Sequence, residues 1–458
     1  MRSSLDVSKR ALTGQICSER DFDQKIFALR LAEALKKCDI RYDSEVLIPE
    51  DDGMADDLFR AAMGFYASVG TYCLDTERII RFDESEIKEG LRVAPSEAVF
   101  GEGLDAGVFR PRRPESKEFP WCFIGAGGAP VSSEEVFLSL MQGYGMIALA
   151  DAITTPELTQ IDGVPIRVNT PLEIYGAIRN AVLARDALRS IGRPGLPIMN
   201  ALATAASDTA LIAALHPLYG LRPSDGYFVA TMAELKTNFE LMNKASVLTA
   251  LGARIGTLAG CVMGGYCGGP EGTALTVAAH HAHGTLVNQA TYHLNHPAHM
   301  RYVANSSPEL LWIISMYAQA ISRNTHLLSL SLNYTCAGPG TDMALYEIAA
   351  QVITAVVSGV SIEAVGLAKA VHIDHLSPIE PKFAAEVAHA AVGMKRTDAN
   401  EIVKNLVKRY VDTIANPPIG KKYQALFDMK TGRPSKECLE SYGRVKKELE
   451  DLGLTFEW

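Results

Sequence analysis

The 458-residue chain is 48% hydrophobic and 21% charged, with 44 basic against 53 acidic residues and a formal net charge of −9, the composition of a globular protein with ample material for a core. Its basic residues are scattered rather than gathered on a face, which excludes nucleic acid as the main ligand, because phosphate neutralisation needs clustered Lys and Arg. The longest apolar runs, Ile348 to Val357 and Ala364 to Val371, fall short of the about 20 residues that span a bilayer. With no charged-then-apolar order in residues 1–18, a cytoplasmic protein without membrane contact is expected.

Residues 1–118 read as a charged, helix-rich N-terminal extension in which Phe22 to Cys38 and Met54 to Ser68 carry apolar spacings of three and four. Pro111-Arg112-Arg113-Pro114 through Pro120 then reads as a proline-rich, basic linker, since each proline disfavours helix in the residue before it. From Trp121 short apolar runs alternate with helix-length segments. Strands are predicted near Trp121 to Gly125, Met146 to Ala152, Leu196 to Ala203, Tyr227 to Thr231, Ile255 to Met263, Tyr292 to Met300, Leu327 to Tyr334 and Ala364 to His372. Helices are predicted over Pro171 to Ser190, Met232 to Ala250, Thr273 to Gln289, Pro308 to Ser322 and Thr341 to Ser358. This alternation implies a parallel sheet, either doubly wound or closed. A (β/α)8 TIM barrel over residues 119–380 is preferred, because eight units in about 260 residues is its usual size. Residues 381–458 read as a helical cap packed on the barrel, with amphipathic helices over Thr397 to Tyr410 and Leu439 to Leu452.

The stretch Leu332-Asn333-Tyr334-Thr335-Cys336-Ala337-Gly338-Pro339-Gly340-Thr341-Asp342-Met343 joins an alternating strand to a breaker-free helix. It therefore lies at the carboxyl end of a strand, where βα barrels gather their chemistry. The glycine-rich Gly264 to Glu271 invites a phosphate-loop reading, but it lacks the GxxxxGK[ST] spacing and a following Lys, so a tight strand-to-helix turn is preferred. The eight cysteines contain no CxxC pair, which leaves free, mostly buried thiols. His280, His281, His283, His293, His296 and His299 form the only local histidine concentration. No HExxH frame accompanies them; no metal is expected, and a metal-dependent hydrolase stands as a rival reading. Asp151, Asp225, Glu271, Asp342 and Asp374 are acids at predicted strand ends, with Asp342 also suited to the first turn of a helix. Tyr227, Tyr266, Tyr292 and Tyr334 fall at strand ends as well, and aromatic faces beside carboxylates suit a methylammonium-type cation.

The order of motifs carries a resemblance. Gly192-Arg193-Pro194-Gly195, Gly264-Gly265-Tyr266-Cys267-Gly268-Gly269-Pro270-Glu271, Cys336 to Met343 and Lys447-Glu448-Leu449-Glu450-Asp451-Leu452-Gly453-Leu454 resemble, in order and near-equal spacing, the monomethylamine:corrinoid protein methyltransferases of methanogenic archaea. Single positions between them agree, among them Glu234-Leu235-Lys236, His280, His293, Pro297, His299, Arg301, Tyr334 and Gly359. The resemblance implies a (β/α)8 barrel, a homo-hexamer and transfer of a methyl group from a methylamine to Co(I) of a corrinoid. That cobalamin-type cofactor is carried by a separate corrinoid protein, so no cofactor is expected on this chain.

One departure accompanies the match. The family uses pyrrolysine after the Gly-Arg-Pro-Gly turn, a glutamate before the Gly-Gly-Tyr turn and a glutamine before the Tyr-Pro-Cys segment. Counted without gaps, these positions are Met199, Leu258 and Leu332 here. The expectation is thus a pyrrolysine-independent corrinoid methyltransferase acting on a small methylated donor, a quaternary or other methylated amine. Glu271 and Tyr334 are its candidate catalytic residues, and Met199, Leu258, Leu332, Tyr266, His299 and Asn333 its candidate substrate-binding residues. The alternative is a catalytically inactive barrel that binds a small methylated ligand or the corrinoid protein.

Overall fold

Seven parallel strands, hydrogen-bonded in one curled sheet, form the centre of the computed structural model, which describes residues 4–199, 207–216 and 218–456. In chain order they are β1 (Cys122–Ile124), β2 (Ala152–Ile153), β3 (Gly226–Thr231), β4 (Arg254–Ala259), β5 (Tyr292–Asn295), β6 (Leu328–Thr335) and β7 (Ser361–Leu367). Their spatial order is β3-β4-β5-β6-β7-β1-β2. The gap between β2 and β3 is closed by two residues, Ile198 bridging Ile153 and Met199 bridging Gly226, both parallel. Backbone bonds seal it: Met199 N donates to Ile153 O at 2.8 Å and Gly226 N to Ile198 O at 3.1 Å. Residues 200–203, which complete the third predicted strand, lie outside the described residues.

This short closure is held from outside. Buried Asp225 accepts from Ile198 N at 2.9 Å and pairs with buried Arg185, whose guanidinium also donates to Leu196 O at 3.1 Å. A buried carboxylate survives there because it is both paired and hydrogen-bonded.

A helix follows every wall segment: α1 (Glu134–Gly145), α2 (Pro171–Ser190), α3 (Asp208–Ala214), α4 (Phe239–Ala250), α5 (Pro270–Leu286), α6 (Pro308–Asn324), α7 (Asp342–Val357) and α8 (Ile379–Ala390). The architecture is a (β/α)8 TIM barrel. Strand periodicity divides its core in two: Ile124, Ile153 and Ile362 face the helices, while Phe123, Ala152, Tyr292, Leu294, Leu328, Leu330 and Leu332 form a separate inner cluster. The floor of that lumen is a hairpin, Ala98–Phe100 with Gly107–Phe109. Its Phe100 ring lies 5.5 Å from Tyr292, and its Phe109 ring stacks on Trp121 at 5.5 Å.

Several sequence expectations change, among them the last strand, expected over Ala364 to His372 but observed over Ser361–Leu367 and followed by a 3-10 turn, Ala368–Val371. The apolar run from Met146 to Ala150 is the turn that follows α1, with Met146 N bonded to Gln142 O and Ile147 N to Tyr144 O; Ile147 and Ala150 are buried while Met146 is exposed, and strand pairing starts only at Ala152. The helix expected from Met232 begins at Phe239, because Glu234 and Leu235 adopt positive φ (57° and 59°) and Lys236–Thr237 pairs with Thr71–Cys73. The Pro111 to Pro120 segment is not a solvated linker: Arg112 is buried, and its guanidinium donates to Val356 O at 2.8 Å and Val360 O at 3.1 Å.

The terminal blocks wrap the barrel. Helix Asp52–Val69 lies against α5 and α6, capped by Asp51 accepting from Met54 N. Helix Lys436–Asp451 packs on α7 and α8, so α8 belongs to the barrel ring and runs across residue 380. Among the described residues no helix is long and apolar enough to cross a membrane.

Candidate functional site

The carboxyl end of β6 positions the site. Between Asn333 and Tyr334 the pairing of β6 with β7 shifts register, a bulge that re-aims the side chains after it. Two amides clamp it: Asn305 donates to Leu332 O at 2.7 Å and accepts from Tyr334 N at 2.9 Å, and Gln351 on α7 donates to Asn305 Oδ1 and Tyr334 O. The turn beyond is held by Glu347, whose carboxylate accepts from Cys336 N at 2.6 Å, Ala337 N at 2.9 Å and Ser306 Oγ at 2.5 Å. Burial pushes Glu347 up to about 7 despite those donors.

Four sequence-selected residues meet here. Met199, Leu258, Leu332 and Tyr334 belong to the one lumen cluster, Leu258 and Tyr334 half-buried at its edge beside Phe228. Phe123 and Phe228 stack at 6.0 Å, Phe228 meets Tyr292 edge-on at 5.3 Å, and His296 lies over Tyr334 at 4.8 Å. The Tyr334 ring occupies space that only glycine leaves, since a Cβ on Gly366 would stand 2.1 Å from its Cδ2. Burial raises the phenol of Tyr334 and lowers the imidazole of His296 to about 4, so both are neutral near pH 7. Asn333 is fully buried, and both polar atoms of its amide lack a partner among the described residues.

The remaining candidates sit elsewhere. Glu271, in the first turn of α5, accepts from Tyr42 N of the N-terminal block at 3.0 Å and is not among the lumen residues. Tyr266 is exposed in the loop after β4. His299, after β5, accepts from Arg301 N and Tyr302 N and stacks on Tyr302 at 4.3 Å. Asp151 and Asp225 precede their strands, at the end opposite the bulge, and Asp374 accepts from Ser132 N and Gln424 Nε2. The cap of α7 is Thr341, accepting from Ala344 N, while Asp342 pairs with Arg444.

The glycine-rich turn is closed on itself: Gly264 N bonds Gly268 O, Gly265 N bonds Val262 O and Gly268 N bonds Gly265 O, which leaves those donors unavailable to phosphate. Three of the histidines are held by hydroxyl groups. His281 meets Ser329 Oγ at 3.1 Å, His283 meets Thr71 Oγ1 at 3.2 Å and His293 meets Thr257 Oγ1 at 3.0 Å. Among the described residues no three His, Cys, Asp or Glu are grouped to hold a metal ion.

Sequence reasoning missed Asn305, Gln351, Glu347 and Glu363. Glu363 faces the lumen between Leu332 and Phe123 in register, is 4% exposed, and is pushed up to about 8 by burial alone. The helix predicted over Thr341 to Ser358 contained Glu347 and Gln351, but no local pattern marks a polar side chain that turns back onto the preceding strand. Around the open end of the lumen the loops after β4, β5 and β7 expose Tyr266, Met300, Val303, Val371 and Ile373.

A small apolar and aromatic lumen below βα loops, at the carboxyl end of a closed parallel barrel, defines a TIM-barrel enzyme. A protein-family profile described as monomethylamine methyltransferase MtmB matches residues 3–454. The chain is 31% identical to monomethylamine methyltransferase MtmB2 of Methanosarcina acetivorans and 32% identical to MtmB2 of Methanosarcina barkeri, in each case over 98% of both proteins. The crystal structure of the Methanosarcina barkeri enzyme superposes with a TM-score of 0.95 at 31% identity, covering 99% of both chains, and that of a hydroxylamine MtmB complex matches equally. The chain belongs to the monomethylamine methyltransferase family, whose members are corrinoid-dependent methyltransferases.

Proposed function

We propose that this chain moves a methyl group from a small methylated cation, a quaternary or other methylated amine, to Co(I) of a corrinoid carried by a separate protein, without pyrrolysine. The observation that carries the reading is the lumen itself. Met199, Leu258 and Leu332 lie in one cluster with Phe228 and Tyr334, a lining without an electrophile among the described residues. Such a surface favours an apolar cation through aromatic faces and a polarizable thioether. A donor that is already cationic needs no covalent activation, because its amine departs neutral when the methyl group is displaced.

The corrinoid supplies the nucleophile and accepts the methyl group. What this chain contributes is a seat that orients the methyl–nitrogen bond along the lumen axis and excludes water. The exposed apolar loops after β4, β5 and β7 suit the docking of a corrinoid protein over the open end, as patches of this kind mark interaction surfaces. A homo-hexamer is part of the proposal.

The test mixes the chain with a Co(I) corrinoid protein and mono-, di-, tri- and tetramethylated amines. Loss of the Co(I) absorbance with a quaternary amine, faster than with monomethylamine, is the expected result. No spectral change with any donor overturns the reading, and tight association without transfer would favour a binding protein instead.

A further inference from the structure

We infer that Glu363 is the anionic partner of the bound cation, a specificity residue for the methylated donor; this rests on the cationic-donor reading above. Its place follows from register. Leu332 of β6 and Phe123 of β1 are its parallel neighbours and both point into the lumen, whereas flanking Ile362 and Ala364 pack outward against the helices. Glu363 Oε2 has no hydrogen-bond partner among the described residues.

Among the described residues the other buried acids have partners. Asp225 has Arg185, Glu347 has three donors, and Glu380 accepts from Gly340 N and Ser377 Oγ. A carboxyl left without a donor among apolar side chains is costly and calls for an explanation in function. Among the described residues, the lumen-facing neighbours offer no countercharge. Phe123, Phe228, Leu258 and Leu332 cannot ionise, and burial raises the phenols of Tyr292 and Tyr334, Tyr292 further through Glu363 itself. A bound monocation would supply the missing charge, with its methyl groups against Phe123 and Phe228. A neutral donor of the same shape would not.

The experiment is calorimetric titration of the full chain, without corrinoid, using tetramethylammonium chloride and neutral tert-butanol. Cation binding requires the carboxylate, so wild-type affinity should rise by up to about tenfold per pH unit and level off above pH 8, while tert-butanol shows no such slope. Glu363→Gln should weaken tetramethylammonium at least tenfold and abolish the slope, and Glu363→Asp should restore part of both. Unchanged cation affinity and slope in Glu363→Gln overturn the proposal, as does a wild type that prefers tert-butanol above pH 8. The two readings separate cleanly. Cation binding through Glu363 without methyl transfer refutes the transferase and leaves this inference, whereas full transfer by Glu363→Gln refutes this inference alone.

Discussion

Glu363 and Tyr334 show how burial sets chemistry at single residues. Folding raises the Glu363 carboxyl to about 8, above an unfolded value of about 4.3. Its charged form is therefore disfavoured in the folded state, and stability contributed by the neutral form is lost as pH rises between those values. Glu363→Gln should accordingly match wild type near pH 4 and exceed it above pH 8, by a margin on the order of a few kcal/mol, read from urea midpoints at the two pH values. Tyr334 lends its ring to the lumen edge while its phenol stays protonated. Tyr334→Phe should keep methyl-transfer kcat/KM within a few-fold, and Tyr334→Ala should lower it at least tenfold; a large loss in the Phe variant would instead show the hydroxyl acting on the reacting atoms. Leu258 and Leu332 could be singled out in the sequence because whole motifs flank them. Glu363 could not, since its strand was expected to begin at Ala364 and no alternation marks Ser361 to Glu363.

At the scale of elements, the β6–α7 turn depends on segments far away in the chain. Gly338 N donates to Pro418 O at 2.9 Å, and a Cβ at Gly338 would stand 1.7 Å from Ile419 O. Gly338→Ala must push the C-terminal segment off the turn, and a loss of about 2 kcal/mol or more in urea unfolding is expected. Gly366→Ala acts on the site instead: with its Cβ 2.1 Å from the Tyr334 ring, it should lower transfer more than stability. The turn between strand and helix was legible as a glycine-punctuated break at a strand's carboxyl end. Its clamps were not, because Asn305, Glu347 and Gln351 reach it from other elements, and periodicity records only which side of its own element a residue occupies.

For the whole molecule, the N-terminal block and the barrel share structure. Lys236–Thr237, after β3, completes the sheet of Gln15–Ile16, Arg78–Ile80 and Thr71–Cys73, and buried Lys236 pairs with Asp23 at 2.8 Å and Glu19 at 2.8 Å. Phe100 and Phe109 close the lumen floor. A chain beginning at residue 119 would expose that floor and the surfaces of α5 and α6 under helix Asp52–Val69. It should aggregate or bind a hydrophobic dye on expression, and a truncated barrel that unfolds cooperatively at the wild-type midpoint would contradict this.

Alternation of strand and helix patterns, the glycine turns and the ordered motifs determined the barrel and its family, since these are local properties of a chain whose strands are buried on both faces. Tertiary structure alone decided which acids are anchors and which one faces the lumen. Glu271 and Glu363 are both acids beside apolar runs, and only strand register and the wrapping N-terminal block separate a carboxylate already hydrogen-bonded to Tyr42 from one that has no partner among the described residues of the lumen.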